Sequence, residues 1–437
     1  MYIFFLYLIL GLLIILFEKI RKKNSIVDML TFINLFFLVS YIIYPVSLWF
    51  YEGRVIPWKY TSKDEISFTS NFFLIFIFYV FLILGFYVRF SKYNTRLYLK
   101  IKQKIDPIKV AVILLILGIL AFILFVISYG GLSYVIQNAG AIRGGYVERS
   151  NFGAIVNLFT KNIYLSFWIL LTIFITSNKN KLVLILLILS LSSSIAVGII
   201  GAGRLDFLMI FIIAYFIIVS IKHKFYFRYL ILILPLSLYT ILFGKEIFGS
   251  IQYGYSGVLN AIEYKREVVG GDLFSGIIQY FAHPFISIQA SLDSTESYRF
   301  FSDFPYSFLF FLKIFNLQVP ETIVYYNTEF LSGIFESDIP AGVVAFSYYN
   351  LGILGIIIFG FVFGVVSKVI EDLFISIKQS ALGIVLYLFT CYSYGWFVTH
   401  AELRINILFM AFSIPLLVLI VFYSKLYSTK SLQGTSI

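Results

Sequence analysis

Apolar stretches close to twenty residues long recur down this chain, and they leave few folds open. A helix rises ~1.5 Å per residue, so ~20 apolar residues cross a ~30 Å hydrocarbon core. Spanning helices are predicted at about 2–17, 26–50, 67–88, 110–129, 154–176, 182–200, 205–221, 229–248, 341–366, 381–399 and 405–424, eleven in all. Only GAGR separates 182–200 from 205–221. The chain is 60% hydrophobic and 13% charged, where a soluble domain carries roughly 25% charged residues. Lipid must therefore cover most of its surface. The expected fold is an all-α polytopic integral membrane protein of about eleven spans. The leading MYIFFLYLILGLLIILFEKIRKK has no basic start and no small-residue cleavage site, so it is expected to be a retained first span.

The loops predict an orientation. EKIRKKN (18–24), 89–109, SNKNK (177–181), IKHKFYFR (221–228), 367–378 and the tail from Lys425 hold 20 of the 33 Lys and Arg. With Glu18, Asp28, Asp106, Glu371 and Asp372 set against them, their balance is +15, which leaves −4 for the rest of a chain of net charge +11. Lys and Arg collect on the cytoplasmic side, so these segments are expected there, with the N-terminus outside and the C-terminus inside. The positive charge reads as a topology signal, and nucleic acid is not an expected partner. The domains follow: an N-terminal bundle over 1–248 with an outer loop at 130–153, a large extracytoplasmic loop at 249–340, and C-terminal helices with a cytoplasmic tail over 341–437. Ninety residues is long for a connection. The apolar stretches 274–288 and 305–317 within it are expected to be short amphipathic helices on the outer membrane face.

Several chemistries find no support. The sequence has no phosphate loop of the Walker type, no CxxC or His-rich cluster, no outer DxD pair and no GxSxG elbow. Cys391, the one cysteine, lies in an apolar run and excludes a disulfide within the chain. No metal and no cofactor is expected. The outer segments offer cations beside glycines instead: Arg143 with Gly144 and Gly145, and Arg266 with Gly270 and Gly271. In each loop a glycine also falls ten places after the arginine, at Gly153 and Gly276. Arg presents a planar fork of donors to phosphate, and glycines let backbone N–H groups approach an anion. Arg204 and Asp206 stand between two spans, and Lys161 is expected inside the fifth span about two turns from its outer end. Charges at such depth face a cavity or a partner, and a structural Arg204–Asp206 or Lys161–carboxylate pair is the plain reading beside anion binding. His283 in FAHPF and His400 in THAELR could each take a proton, though a lone His is more often structural. Glu263, Glu267, Asp272, Glu329 and Asp338 are further outer carboxylates.

This arrangement resembles the O-antigen and capsule repeat-unit polymerases (Wzy-type). The resemblance covers most of the chain as an architecture. It rests on YGGLSYVIQNAGAIRGG in an outer loop, on GAGRLDFLMIFIIAY entering a span, on FAHPF in one large outer loop, and on the glycine-rich PAGVVAFSYYNLGILGIIIFGFVFG after it. The paired Arg…Gly spacing is also similar to one in that family, whereas eleven spans departs from many of its members. The resemblance implies glycosyl transfer at the outer face of a bacterial inner membrane, without ATP or metal. Donor and acceptor would be oligosaccharides on undecaprenyl pyrophosphate. Arg143, Arg204, Arg266 and Lys161 would hold the diphosphate, and His283 or Glu267 would take the acceptor proton. Membrane lipid and a separate chain-length regulator are the other partners it suggests. Two alternatives stay open: an O-antigen ligase, which shares the donor, and a polysaccharide flippase or other transporter, which should show internal repeats and midplane charges not found here.

Overall fold

The computed structural model describes residues 2–429 apart from 24, 51–57, 61, 89–95, 102–105, 145–146, 148–150, 177–179, 202–203, 269–272, 295–296, 310–311, 313–316, 334–337, 375–379, 412, 414 and 417–423. The chain is a helical membrane protein. Its elements are α1 (Tyr2–Ile20), α2 (Met29–Leu38), which passes through a π turn at Val39–Ile43 into α3 (Tyr44–Phe50), α4 (Phe68–Tyr87), β1 (Arg96–Ile101) and α5 (Pro107–Ser128). Next come the short α6 (Leu132–Gln137) and α7 (Ala139–Gly144), then α8 (Asn151–Thr160), α9 (Asn162–Thr176), α10 (Lys181–Ile200), α11 (Arg204–Lys222) and α12 (Phe227–Ser250). Five short helices follow: α13 (Gly254–Val268), α14 (Leu273–Tyr280), α15 (His283–Asp293), α16 (Asp303–Phe308) and α17 (Ile323–Ser332). The chain closes with α18 (Gly342–Phe374), α19 (Ala381–His400), α20 (Leu403–Ala411) and β2 (Ser424–Thr429).

Among the described residues, nine helical segments are long and apolar enough to cross a membrane: α1, α2–α3, α4, α5, α8–α9, α10, most of α12, α18 and α19. The two other expected spans fare differently. Residues 205–221 form α11, a helix of 19 residues, ~28 Å long at ~1.5 Å per residue. Of 405–424, α20 covers only the beginning, and much of the remainder lies outside the described residues. Polar side chains set several helix starts: Asp28 accepts from Thr31 N and Asp106 from Ile108 N ahead of Pro107, while Asn180 and Ser380 cap α10 and α19. One departure from an all-helical chain is a two-stranded antiparallel ribbon, in which Arg96 pairs with Thr429 and Ile101 with Ser424.

α19 is central, with 83% of its apolar segment buried, and α1 is peripheral, with 22%. The closest contact is between α4 and α18. A Cβ added to Gly85 would lie 2.1 Å from the Phe361 carbonyl oxygen, and one on Gly364 would lie 2.1 Å from that of Leu82. Gly360 meets the Phe78 carbonyl in the same way, at 2.9 Å. Lipid tails are as apolar as Leu, so close packing rather than hydrophobicity joins such helices, and glycines allow it. The glycine-rich stretch 341–366 is therefore a packing face. It is also not one straight span: α18 bends at Leu351 and Gly352, where φ is −150° and 59°.

In the long segment 249–340, the expected helix at 305–317 is described only in part, since 310–311 and 313–316 lie outside the described residues, and 274–288 differs from expectation. The stretch 274–288 breaks at Phe281–Ala282, and α15 does not lie on the surface; Pro284 to Ser291 are all buried. Its polar groups find partners inside. Asn327 Nδ2 donates to Ser287 Oγ at 2.9 Å, Ser67 N to Gln289 Oε1 at 2.8 Å, and Tyr60 OH to Asp293 Oδ2 at 2.8 Å. Satisfied in this way, an apolar helix with Ser and Gln can sit among α4, α17, α18 and α19.

Contacts between distant segments sort the molecule into two ends. At one end Arg21 bridges Glu18 and Asp28, Met29 N donates to Glu371, Tyr387 OH donates to the same carboxylate, and β1 meets β2. Glu18, Arg21, Glu371, β1 and most of β2 belong to the segments rich in Lys and Arg, and Asp28, Met29 and Tyr387 lie on the spans next to those segments. Tyr60–Asp293, Lys161–Asp206, Lys265–Glu246 and Arg404–Asp338 lie at the other end.

Candidate functional site

Lys161 lies inside the apolar segment Ile155–Thr176, as expected, and occupies a one-residue break between α8 and α9 there. Thr160 Oγ1 donates to Asn157 O at 2.7 Å and Asn162 Nδ2 to Phe159 O at 2.8 Å, so side chains take over from the helical ladder. α5 presses on the break through Gly118, where a Cβ would lie 2.5 Å from Ile163 Cγ1. The break turns the lysine sideways: Nζ is 2.8 Å from Asp206 Oδ1 and 5.5 Å from the centroid of the Phe409 ring. Asp206 lies in the first turn of α11, where the helix dipole favours a carboxylate.

Arg204 begins α11. Its Nη1 donates to the Ile241 carbonyl of α12 at 2.9 Å, and its guanidinium carbon is 5.3 Å from the Tyr280 ring centroid. Gly244 makes the room, since a Cβ there would stand 2.7 Å from Arg204 Cγ. The buried Nε has no hydrogen-bond partner among the described residues. Lys161, Asp206 and Arg204 together carry one net positive charge, which suits an anionic ligand.

Tyr280 ends α14, and three residues on His283 opens α15. Burial pushes the His283 imidazole down to about 4, against the carbonyls of Tyr280 and Thr399, which favour its protonated form. Its Nε2 is buried without a hydrogen-bond partner among the described residues. The ring lies 5.4 Å from that of His400, which in turn rests 4.2 Å from Trp396. Just beyond, Ala401 adopts a left-handed φ of 51° and turns Glu402 inward to 3% exposure. Arg404 Nη2 is 2.6 Å from Glu402 Oε1 and 3.8 Å from Asp338 Oδ2. Burial still outweighs the arginine and pushes the Glu402 carboxyl up to about 7. A cavity of about 10 Å³, room for about one water, separates His400 and Glu402 from Asp303. Burial raises Asp303 as well, while it accepts from Ile323 N at 2.6 Å and Arg299 Nε at 3.0 Å.

Of the residues nominated from sequence, Lys161, Arg204 and His283 thus stand at one end, with Tyr280 between Arg204 and His283. Asp206 pairs with Lys161 and not with Arg204. Arg266 and Glu267 are exposed near the end of α13, which packs on α12. Arg143 and Gly144 close α7, which packs on α12, the helix that receives Arg204. The Arg143 side chain, Gly145, Gly270 and Gly271 lie outside the described residues. Tyr280, Trp396, Asp303 and Glu402 were not singled out as site residues; the Arg299–Asp303 spacing of four and the alternation His400, Glu402, Arg404 are the signals that point to two of them. Among the described residues no three His, Cys, Asp or Glu side chains gather as a metal site would need.

No known protein family, curated protein or solved structure matches the chain.

Proposed function

We propose that the chain is a polysaccharide polymerase that joins oligosaccharide units carried on undecaprenyl pyrophosphate at the outer face of a bacterial inner membrane. The observation that carries this reading is the pair of cations at helix boundaries, Lys161 and Arg204, at the end opposite the basic loops. A lipid diphosphate is an anion that arrives from the membrane. Arg204, whose Nε has no partner among the described residues, and Lys161 would bind it, and Arg143 and Arg266 on the flanking helices would meet it on the way in.

In the transfer, an acceptor hydroxyl oxygen bonds to the anomeric carbon of the donor's first sugar. The bond from that carbon to the phosphate oxygen breaks, and its electron pair leaves with the lipid diphosphate. Fixed cations stabilise this departing charge best where water is scarce. The hydroxyl proton passes to His283 Nε2, which is neutral at physiological pH because of its burial. The donor is already activated, so the step draws on no ATP.

Purified protein given a lipid-linked repeat unit should build a ladder of longer glycans. Arg204→Ala should slow it roughly 100-fold, the usual scale for losing one donor to a developing anion, and Arg143→Ala and Arg266→Ala should shorten it. A folded wild-type sample that makes no ladder defeats the polymerase reading, and a single transfer to lipid A-core would identify a ligase. Full-length ladders from Arg204→Ala would remove the diphosphate role.

A further inference from the structure

The basic end holds a second feature that glycosyl transfer does not use. Between the α1–α2 turn and the α11–α12 turn lies an open cleft of about 510 Å³. Its basic side chains are Lys19, Arg21 and Lys23, with the His223 imidazole beside them, and its apolar wall is Ile26 and Phe225. One carboxylate, Glu18, also faces it. That carboxylate is already saturated, since it accepts from Arg21 Nε at 2.8 Å, Lys23 Nζ at 2.5 Å, Thr31 Oγ1 at 2.6 Å and Asn34 Nδ2 at 2.8 Å. Arg21 is gripped in addition by both oxygens of Asp28, at 2.5 and 2.6 Å. The network fixes the floor of the cleft and leaves it little repulsion toward an anion.

Two further observations point to a ligand. His223 holds a φ of 49°, a conformation that costs a non-glycine residue energy and that gathers at functional sites. Phe225 next to it is 43% exposed, an aromatic ring beside cations at the level where four membrane helices end. Lys22, Lys222 and Lys224 flank the cleft in sequence and add to its field. Basic side chains beside an apolar wall, where helices long enough to cross a membrane begin and end, match a phosphate joined to a hydrocarbon chain.

We propose that this cleft binds the phosphate of an anionic membrane lipid. The phosphate sits against Lys19, Lys23 and His223, and the chains run down past Phe225 and Ile26 into the bilayer. A soluble phosphate would meet the same cations but gain nothing from the apolar wall.

The test uses the full-length protein in neutral detergent and reads its thermal midpoint against added phosphatidylglycerol, phosphatidylcholine or glycerol phosphate. Phosphatidylglycerol should raise the midpoint saturably, and the other two should not. In the double variant Lys19→Ser/His223→Ser at least half of that rise should disappear, with the midpoint in phosphatidylcholine unchanged. Equal responses to the two lipids, or an undiminished response in the double variant, overturn the site. Saturation by glycerol phosphate alone overturns the lipid assignment. If the variant does not fold, amine labelling of Lys19 in the wild-type protein decides: protection by phosphatidylglycerol supports the site, and equal labelling in both lipids overturns it.

Discussion

His283 gives the molecule one pH-dependent stability contribution. Its imidazole takes a proton near the usual 6.5 in the unfolded chain but only near 4 when folded. Protonation therefore favours unfolding, so the stability is present above pH 6.5 and is lost as the pH falls toward 4. At pH 5 the loss is on the order of 2 kcal/mol. Glu402, pushed up to about 7, acts in the opposite sense over the same range, so the test is a difference between two proteins. From pH 7.5 to 5 the thermal midpoint of the wild type in detergent should drop relative to that of His283→Gln, and an identical pH course in both would show that His283 does not contribute. Residues of this kind were partly legible. Lys161 and Arg204 stand out because charges amid apolar runs are rare. Glu402 and Asp303 do not, because burial is a property of packing. Nothing in the string THAELR announces that Ala401 turns left-handed and sends the next carboxylate inward.

Among the elements, the hydrophobic runs were readable and the breaks were not. Hydropathy averaged over twenty residues passes smoothly across Lys161 and across Leu351–Gly352, although both interrupt a helix. α15 misled for a related reason: Ser287, Gln289 and Ser291 look like a wet face until Asn327 and Ser67 are seen to meet two of them. The glycines of α4 and α18 offer a test at this scale. Gly364→Leu would drive a side chain into the Leu82 carbonyl and should cost ~1–3 kcal/mol or more, as overpacking does. Gly198→Ala should be tolerated, since its nearest neighbours are 3.8 Å from the new carbon. Comparing thermal midpoints and yields of the two variants checks the difference; equal behaviour would mean that the α4–α18 crossing is looser than described.

For the molecule as a whole, the loop charges divide the chain into two sets, and contacts join members of one set to each other or to the span ends beside them, as at Arg21, Glu371 and the β1–β2 ribbon. That agreement supports the alternation of loops; which end faces the cytoplasm rests on the positive-inside rule. The single cysteine makes the question easy to approach, because Cys391 is fully buried and should stay silent to a membrane-impermeant maleimide. On intact cells Glu267→Cys should label and Lys224→Cys should label only after lysis. The reverse pattern would invert the orientation and place the Lys161–Arg204 cluster on the cytoplasmic side.

The contact between α4 and α18 has a mechanical consequence. With backbone against backbone at Gly85, Gly360 and Gly364, no side chain can swing there and no lipid tail can wedge the helices apart. The pair is a keel, and it should move as one body. Whatever opening a large substrate requires must be taken up elsewhere, at joints such as the break at Lys161 and the bend at Gly352, whose backbones already depart from the helical ladder.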